Sequence, residues 1–178
     1  MPVEFDEQGL WWALELNATC TSKPPQNRVA TGGSIGSEIA KLYVYDLNGK
    51  MIDRTEHINS PVGVSVRYHV TLGSKSIDVI GCAVRSTNEI KMFSIDPDTR
   101  KLTDITSGEK IPTGFKNDTY GFCLYKRARD GNLFAFVTRK DTDHIHQIAI
   151  EDDGTGKLKG SVIRQFGKAQ IRSFVEGR

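Results

Sequence analysis

The sequence predicts an all-β protein, a partial β-propeller built of four-stranded blades, and three observations predict it. The first is a strand-and-turn unit that occurs three times: Leu42-Tyr-Val-Tyr-Asp-Leu-Asn-Gly-Lys50-Met-Ile-Asp53, Ile90-Lys-Met-Phe-Ser-Ile-Asp-Pro-Asp-Thr-Arg-Lys-Leu-Thr-Asp-Ile105, and Ile145-His-Gln-Ile-Ala-Ile-Glu-Asp-Asp-Gly-Thr-Gly-Lys-Leu-Lys-Gly160. Each copy is an alternating strand, an acidic turn with Gly or Pro, a basic residue and a shorter second strand, and the starts lie 48 and 55 residues apart. Repeats of about 40–50 residues made only of strands mark propeller blades. The second observation is that short apolar, β-branched and aromatic runs recur between turn signals, with no helical period longer than two turns. The third is arithmetic. A propeller closes with about 4–8 blades, and three units make residues 1–178 a single incomplete domain, to be completed by further blades or by self-association.

Taken in order, strands are expected near Leu10–Leu16, Leu42–Leu47, Val62–Val70, Ile77–Val84, Ile90–Ile95, Tyr120–Lys126, Leu133–Thr138, Ile145–Ile150 and Val162–Phe166. Alternation in Leu42-Tyr-Val-Tyr-Asp-Leu and Ile145-His-Gln-Ile-Ala-Ile suits the outer part of a blade, whose two faces differ. Ile77-Asp-Val-Ile-Gly-Cys-Ala-Val84 and Leu133-Phe-Ala-Phe-Val137 are nearly all apolar and suit strands covered on both faces. Asn48-Gly49 is a hairpin signal because its turn needs positive φ at both central residues, and Asp96-Pro-Asp-Thr and Asp130-Gly-Asn mark further turns. Residues Ala18–Ala40, with Pro24-Pro25 and a Gly-rich stretch, and Thr103–Asn117 read as long connections.

Composition excludes several classes. A hydrophobic content of 38 % supports a real core, while a net charge of +2 is too balanced to point to nucleic acid. Charge is nevertheless uneven: residues 1–20 hold four acids and no base, and residues 154–178 hold six bases against Glu176. Such ends suit a cation and an anionic substrate, or simply solvated faces. Cys20, Cys82 and Cys123 show no Cys-x-x-Cys spacing, so neither a zinc site nor a disulfide framework follows. Cys82 and Cys123 lie in apolar runs and are expected to be buried thiols. No stretch is long enough to cross a membrane as a helix, and Met1-Pro-Val-Glu-Phe-Asp-Glu7 lacks the basic start of a signal peptide.

Four constellations bear on chemistry. Thr31-Gly-Gly-Ser-Ile-Gly36 has amides to cradle phosphate, but without the Lys-Ser/Thr ending of a phosphate loop it reads as a plain loop. His144 and His146 are two apart on a strand and share a face; with no third ligand indicated they read as surface histidines. Asp6-Glu7, just before Leu10-Trp-Trp12, offers hard oxygen ligands for calcium or a solubilising pair. Arg85, Tyr120 and Lys140 stand at comparable places beside inner strands, where blade ends converge. Arg brings a planar donor fork, Lys a point charge and Tyr a phenolic donor to an anion.

At these residues the chain resembles the calcium-dependent β-propeller phytases. The likeness runs from about Asp6 to Gly177 and would cover only the first half or so of a six-bladed domain. It is carried by Leu42-Tyr-Val-Tyr-Asp-Leu-x-Gly-Lys50, Val64-x-Val-Arg-Tyr68, Asp118-x-Tyr-Gly-Phe-x-Leu-Tyr125, Val137-Thr-x-Lys140 and Glu176-Gly177. The resemblance implies that Asp6, Glu7 and Glu176 ligate calcium and that Arg85, Tyr120 and Lys140 grip substrate phosphates. It further implies an extracellular phosphomonoester hydrolase acting on phytate, myo-inositol hexakisphosphate, through calcium-activated water, with no nucleic-acid or membrane partner.

The chain departs from the family pattern in places. The acid pair is Asp-Glu without a following proline, Ala30-Thr-Gly-Gly-Ser replaces a lysine-bearing segment, Val62-Gly-Val-Ser65 replaces an Asn-Asn-Val-Asp run, and Phe174-Val175 precedes Glu176 in place of Gln-Thr. Two alternatives stand beside the hydrolase. One is a non-catalytic incomplete phytase domain that binds inositol phosphate or calcium. The other is an unrelated propeller, an interaction scaffold or a lactone hydrolase.

Overall fold

The computed structural model describes residues 41–167 except 47, 57, 109 and 141, together with the backbone of three short strands before them. Every regular element among the described residues is a strand, and the strands form three antiparallel sheets in chain order. The first holds β1 (Trp12–Ala13), β2 (Thr19–Thr21), β3 (Arg28–Gly32), β4 (Lys41–Tyr45) and β5 (Met51–Arg54), paired consecutively. The second runs β6 (Pro61–Leu72), β7 (Lys75–Val84), β8 (Glu89–Ile95), and then two short strands, β9 (Leu102–Asp104) and β10 (Ile111–Pro112), both on β8. The third is β11 (Thr119–Lys126), β12 (Leu133–Arg139), β13 (Ile145–Asp152) and β14 (Leu158–Phe166). Three antiparallel sheets, with no closed barrel among the described residues, are the architecture of a partial propeller.

The triple repeat corresponds to one structural position. Its copies are β4–β5, β8–β9 and β13–β14, each an outward-lying hairpin of its sheet. In each, an aspartate at the strand end accepts hydrogen bonds from amides just beyond it: Asp46 from Asn48 and Lys50, Asp96 from Asp98 and Thr99, Asp153 from Thr155. Asp and Asn favour turns because the short side chain replaces a backbone partner in this way.

Two expectations need correction. Thr103–Asn117 is not a bare connection: it contains part of β9 and all of β10, which share the fourth place of the second sheet, Leu102–Asp104 opposite Phe93–Ile95 and Ile111–Pro112 opposite Glu89–Ile90. Ala18–Ala40 likewise contains β2 and β3, so the first sheet has five strands rather than four. Strands of two or three residues are too short to leave a period of two in the sequence.

The core is two apolar slabs, one on each side of the second sheet. Along β7 the side chains alternate between them: Val79 and Ala83 join Val70, Met92, Phe122, Leu124 and Val137 toward the third sheet, while Ile80, Cys82 and Val84 join Leu42, Val44, Val64 and Phe93 toward the first. The nearly continuous apolar run Ile77–Val84 thus has the expected reason, coverage on both faces. Burying an aliphatic chain such as Ile80 or Met92, both fully enclosed, is worth about 1.5–3 kcal/mol. Hydrogen bonds stitch the sheets together as well. The Leu124 amide donates to Ser65 Oγ at 3.0 Å, the Leu102 amide to Asp53 Oδ2 at 2.7 Å, and Leu158 exchanges backbone bonds with Ile105 and Ser107.

The opposite face of the third sheet carries Tyr125, Phe134, Phe136 and Phe166. Tyr125 and Phe136 meet edge-on, and guanidinium groups lie over two of the rings, Arg127 at 5.0 Å from the Phe134 centroid and Arg164 at 5.5 Å from that of Phe166. Cys123 is on this face and exposed, contrary to expectation, whereas Cys82 is buried. The apolar run that holds Cys123 has only one face in the core. Burial pushes the Cys82 thiol up to about 12, so it stays neutral.

Candidate functional site

Antiparallel pairing brings the end of β7, the start of β11 and the end of β12 to the same end of the sheets. Arg85 follows β7, Tyr120 is the second residue of β11, and Lys140 follows β12. The two first strands of these sheets are irregular at this end. β6 shifts register between Val62 and Val64, and β11 between Thr119 and Phe122. The first shift centres on Gly63, whose φ is +62°, and an added Cβ there would lie 2.9 Å from Phe122 Cβ. Glycine therefore lets β6 and β11 touch. The second shift contains Tyr120 and Gly121, with the Gly121 amide donating to Thr138 Oγ1 at 2.9 Å. Bulges re-aim side chains, and Tyr120 is left half-exposed.

Asp118 joins the three. Its carboxylate accepts from Arg85 at 3.3 Å, its carbonyl accepts from the Lys140 amide at 2.8 Å, and Tyr120 is two residues further along the chain. Asp118 has φ +57°, in the left-handed region that Asp tolerates better than most residues. The Arg85–Asp118 pair is two-fifths exposed on both sides, so its own contribution is about 0–1 kcal/mol. It orients the guanidinium without withdrawing it from solvent. Asp118 lies inside a motif legible in the sequence, but its role was not; the signal was an acid in a turn two residues before the tyrosine.

Behind Asp118 the segment from Thr113 to Thr119 is fixed from several sides. Thr113 and Thr119 are fully buried, and their hydroxyls lie 3.1 Å apart. His146 Nδ1 is 2.9 Å from the Thr113 carbonyl; since a carbonyl only accepts, Nδ1 carries the proton and donates. The imidazole stacks on Phe115, centroids 3.9 Å apart and planes within 10°. His146 is therefore not a surface residue as expected but a buried support for this segment, while His144 is exposed. Among the described residues no group of three or more His, Cys, Asp or Glu is arranged to hold a metal. Asp6, Glu7 and Glu176, the expected calcium ligands, lie outside the described residues, as do most of Thr31–Gly36.

One end of the antiparallel sheets thus brings Arg85 and the backbone of Lys140 onto Asp118, two residues before Tyr120. The class is an all-β protein of three antiparallel sheets. The chain belongs to the Phytase family, whose model matches residues 22–177. It is similar to the 3-phytase of Bacillus subtilis (strain 168), being 33 % identical over 138 residues that make up 76 % of this chain and 35 % of that protein. The chain accordingly spans about a third of the length of this curated relative.

Proposed function

We propose that this chain carries the phosphate-binding part of a phytase-type phosphomonoester hydrolase acting on myo-inositol hexakisphosphate. The observation that supports it most directly is that Arg85 and the Lys140 amide both bond Asp118, two residues before Tyr120, at one sheet end. In this reading the Arg85 fork takes one phosphate group, the Lys140 ammonium compensates charge nearby, and the Tyr120 phenol donates to a phosphate oxygen. Phosphoryl transfer spreads charge over the equatorial oxygens, so donors fixed in advance around them lower the barrier. The reaction calls for water as nucleophile, and no side chain in the edge is cast in that role.

Calcium is the cofactor that family membership implies, and Asp6, Glu7 and Glu176 are the residues assigned to it. Those carboxylates would hold it, and when bound it would supply the Lewis acidity that makes water a better nucleophile. Among the described residues no group of three or more His, Cys, Asp or Glu is arranged to hold a metal, so the assignment rests on the acids outside them. An extracellular location is part of the same proposal and rests on the family alone.

The reading is tested by phosphate release from calcium phytate and by calorimetric titration of the purified chain with myo-inositol hexakisphosphate. Turnover that Arg85→Ala reduces by about 10²–10³-fold is the expected result. A chain that neither binds nor hydrolyses the hexakisphosphate overturns it. Binding without turnover would select the non-catalytic reading, which the missing lysine at Ala30–Ser34 and the sequence Val62-Gly-Val-Ser65 favour.

A further inference from the structure

Asn88 lies in the four-residue turn between β7 and β8 that also carries Arg85. Its backbone is left-handed, φ +54°, and its side chain reaches the segment that leads into the third sheet while its carbonyl extends the pairing of β8 with β10. Both polar atoms of the side chain are bonded. Nδ2 donates to the Lys116 carbonyl at 3.1 Å, and Oδ1 accepts from Thr119 Oγ1 at 2.8 Å and from the Thr119 amide at 3.4 Å. The Asn88 carbonyl accepts from the Thr113 amide at 3.0 Å and from Thr113 Oγ1 at 2.9 Å. One residue of the second sheet thereby holds both ends of the segment whose Asp118 orients Arg85 and whose next strand carries Tyr120.

We infer that Asn88 is a positioning residue that sets the spacing between Arg85 on one sheet and Tyr120 and Lys140 on the next, so that one polyphosphorylated ligand engages all three. The inference rests on the anion-binding reading above. Arg85 departs from β7, whereas Tyr120 and Lys140 depart from β11 and β12, so their separation depends on how the two sheets are joined at this end. The Asn88 side-chain bonds to Lys116 and Thr119 cross that junction beside the Arg85–Asp118 pair. A ligand with a single phosphate needs only one group at a time and is indifferent to the spacing. A ligand with several phosphates gains from simultaneous engagement, which acts as a high effective concentration and is lost when the geometry no longer fits.

The test uses Asn88→Gly, which keeps the left-handed backbone and deletes the amide, beside Asn88→Asp, which keeps the acceptor for Thr119 and loses the donor to Lys116. Affinities for myo-inositol hexakisphosphate and for inorganic phosphate are measured by calorimetry on the whole chain, with folding checked by circular dichroism. Asn88→Gly is expected to weaken hexakisphosphate binding about tenfold or more and to leave inorganic phosphate nearly unchanged, with Asn88→Asp between Gly and the native residue. Equal weakening for both probes, or none for the hexakisphosphate, overturns the inference. The two readings fail differently. If the unaltered chain binds the hexakisphosphate and Arg85→Ala weakens it while Asn88→Gly does not, the positioning role alone is wrong. If the unaltered chain does not bind it, both are wrong. Should Asn88→Gly not fold, Asn88→Asp decides by the same ratio of the two affinities.

Discussion

The two ends of the sheets differ in how their bonds are distributed. At the end away from Arg85 the turns are closed mainly by bonds within a few residues, with a few long-range ties beside them, such as Gly73 to Asp152 and Lys126 to the Tyr68 and His69 carbonyls. Asp96 binds the amides of Asp98 and Thr99 and the Thr99 hydroxyl, Asp130 binds Arg127 and the Asn132 amide, and Asp153 binds Thr155 twice. At the Arg85 end the decisive bonds join residues far apart in sequence: Arg85 to Asp118, Asn88 to Thr113, Lys116 and Thr119, His146 to Thr113. Local turns make the strands reverse regardless of their neighbours. Nonlocal bonds make one sheet's groups depend on the next, which a site assembled from several strands requires.

The largest effect that sharpens this contrast is on activity. Arg85→Ala is expected to reduce phosphate release from calcium phytate by about 10²–10³-fold, the cost of removing a charge-stabilising donor from a preorganised site. Asp130→Asn, at the other end, is expected to leave the rate unchanged. Steady-state assays on the two variants in parallel decide it, and a comparable loss in both would erase the functional distinction between the ends.

The same contrast explains what could be read from the sequence. The turns at Asn48-Gly49, Asp96-Pro97 and Asp130-Gly131 were legible because their chemistry lies within a few residues, and Ile77–Val84 because coverage on both faces leaves a continuous apolar run. Arg85, Tyr120 and Lys140 were legible as strand-end residues, and their common linkage through Asp118 was not. Hydrogen bonds spanning 31 or 33 residues, such as Asn88 to Thr119 and His146 to Thr113, leave no local pattern. His146 was misread for that reason: its position on an alternating strand is evident, whereas its partners Phe115 and Thr113 arrive from an irregular segment of the chain. Cys123 was misread because an apolar run does not say which of its faces is covered.

Identical substitutions at the two ends give the next largest effect. Gly63 and Gly156 both have positive φ, +62° and +86°. An added Cβ at Gly63 would press on Phe122, 2.9 Å from its Cβ and 3.0 Å from its amide nitrogen, whereas at Gly156 it meets nothing within 4 Å. Gly156→Ala therefore carries only the left-handed backbone penalty of about 1–2 kcal/mol. Gly63→Ala adds overpacking of about 1–3 kcal/mol, because the obstacle is backbone and Cβ of a neighbouring strand that cannot swing aside. Urea midpoints for both variants measure the difference. Equal midpoints would mean that β6 and β11 are free to separate, and the close junction beneath the site would lose its significance.

The smallest effect is an acid one and belongs to the turns. Hydrogen bonds from Arg127 hold the Asp130 carboxyl down at about 2, and those from Thr155 and Ser107 do the same for Asp153, both from an ordinary value of 3.8. A carboxyl whose folded pKa is depressed binds protons more readily in the unfolded chain, so its stabilisation is complete above the ordinary value and fades as pH falls toward about 2. Both groups are solvent-facing, so the contribution is modest and screened by salt. Thermal midpoints of the native chain should thus decline between pH 4 and 2, and Asp153→Asn, which cannot titrate, should decline less steeply over the same interval. At pH 7 that variant should keep the native affinity for inositol hexakisphosphate, because its turn stands at the end away from Arg85. A change in that affinity would show the two ends to be coupled through the third sheet, and the proposed division of roles between them would have to be abandoned.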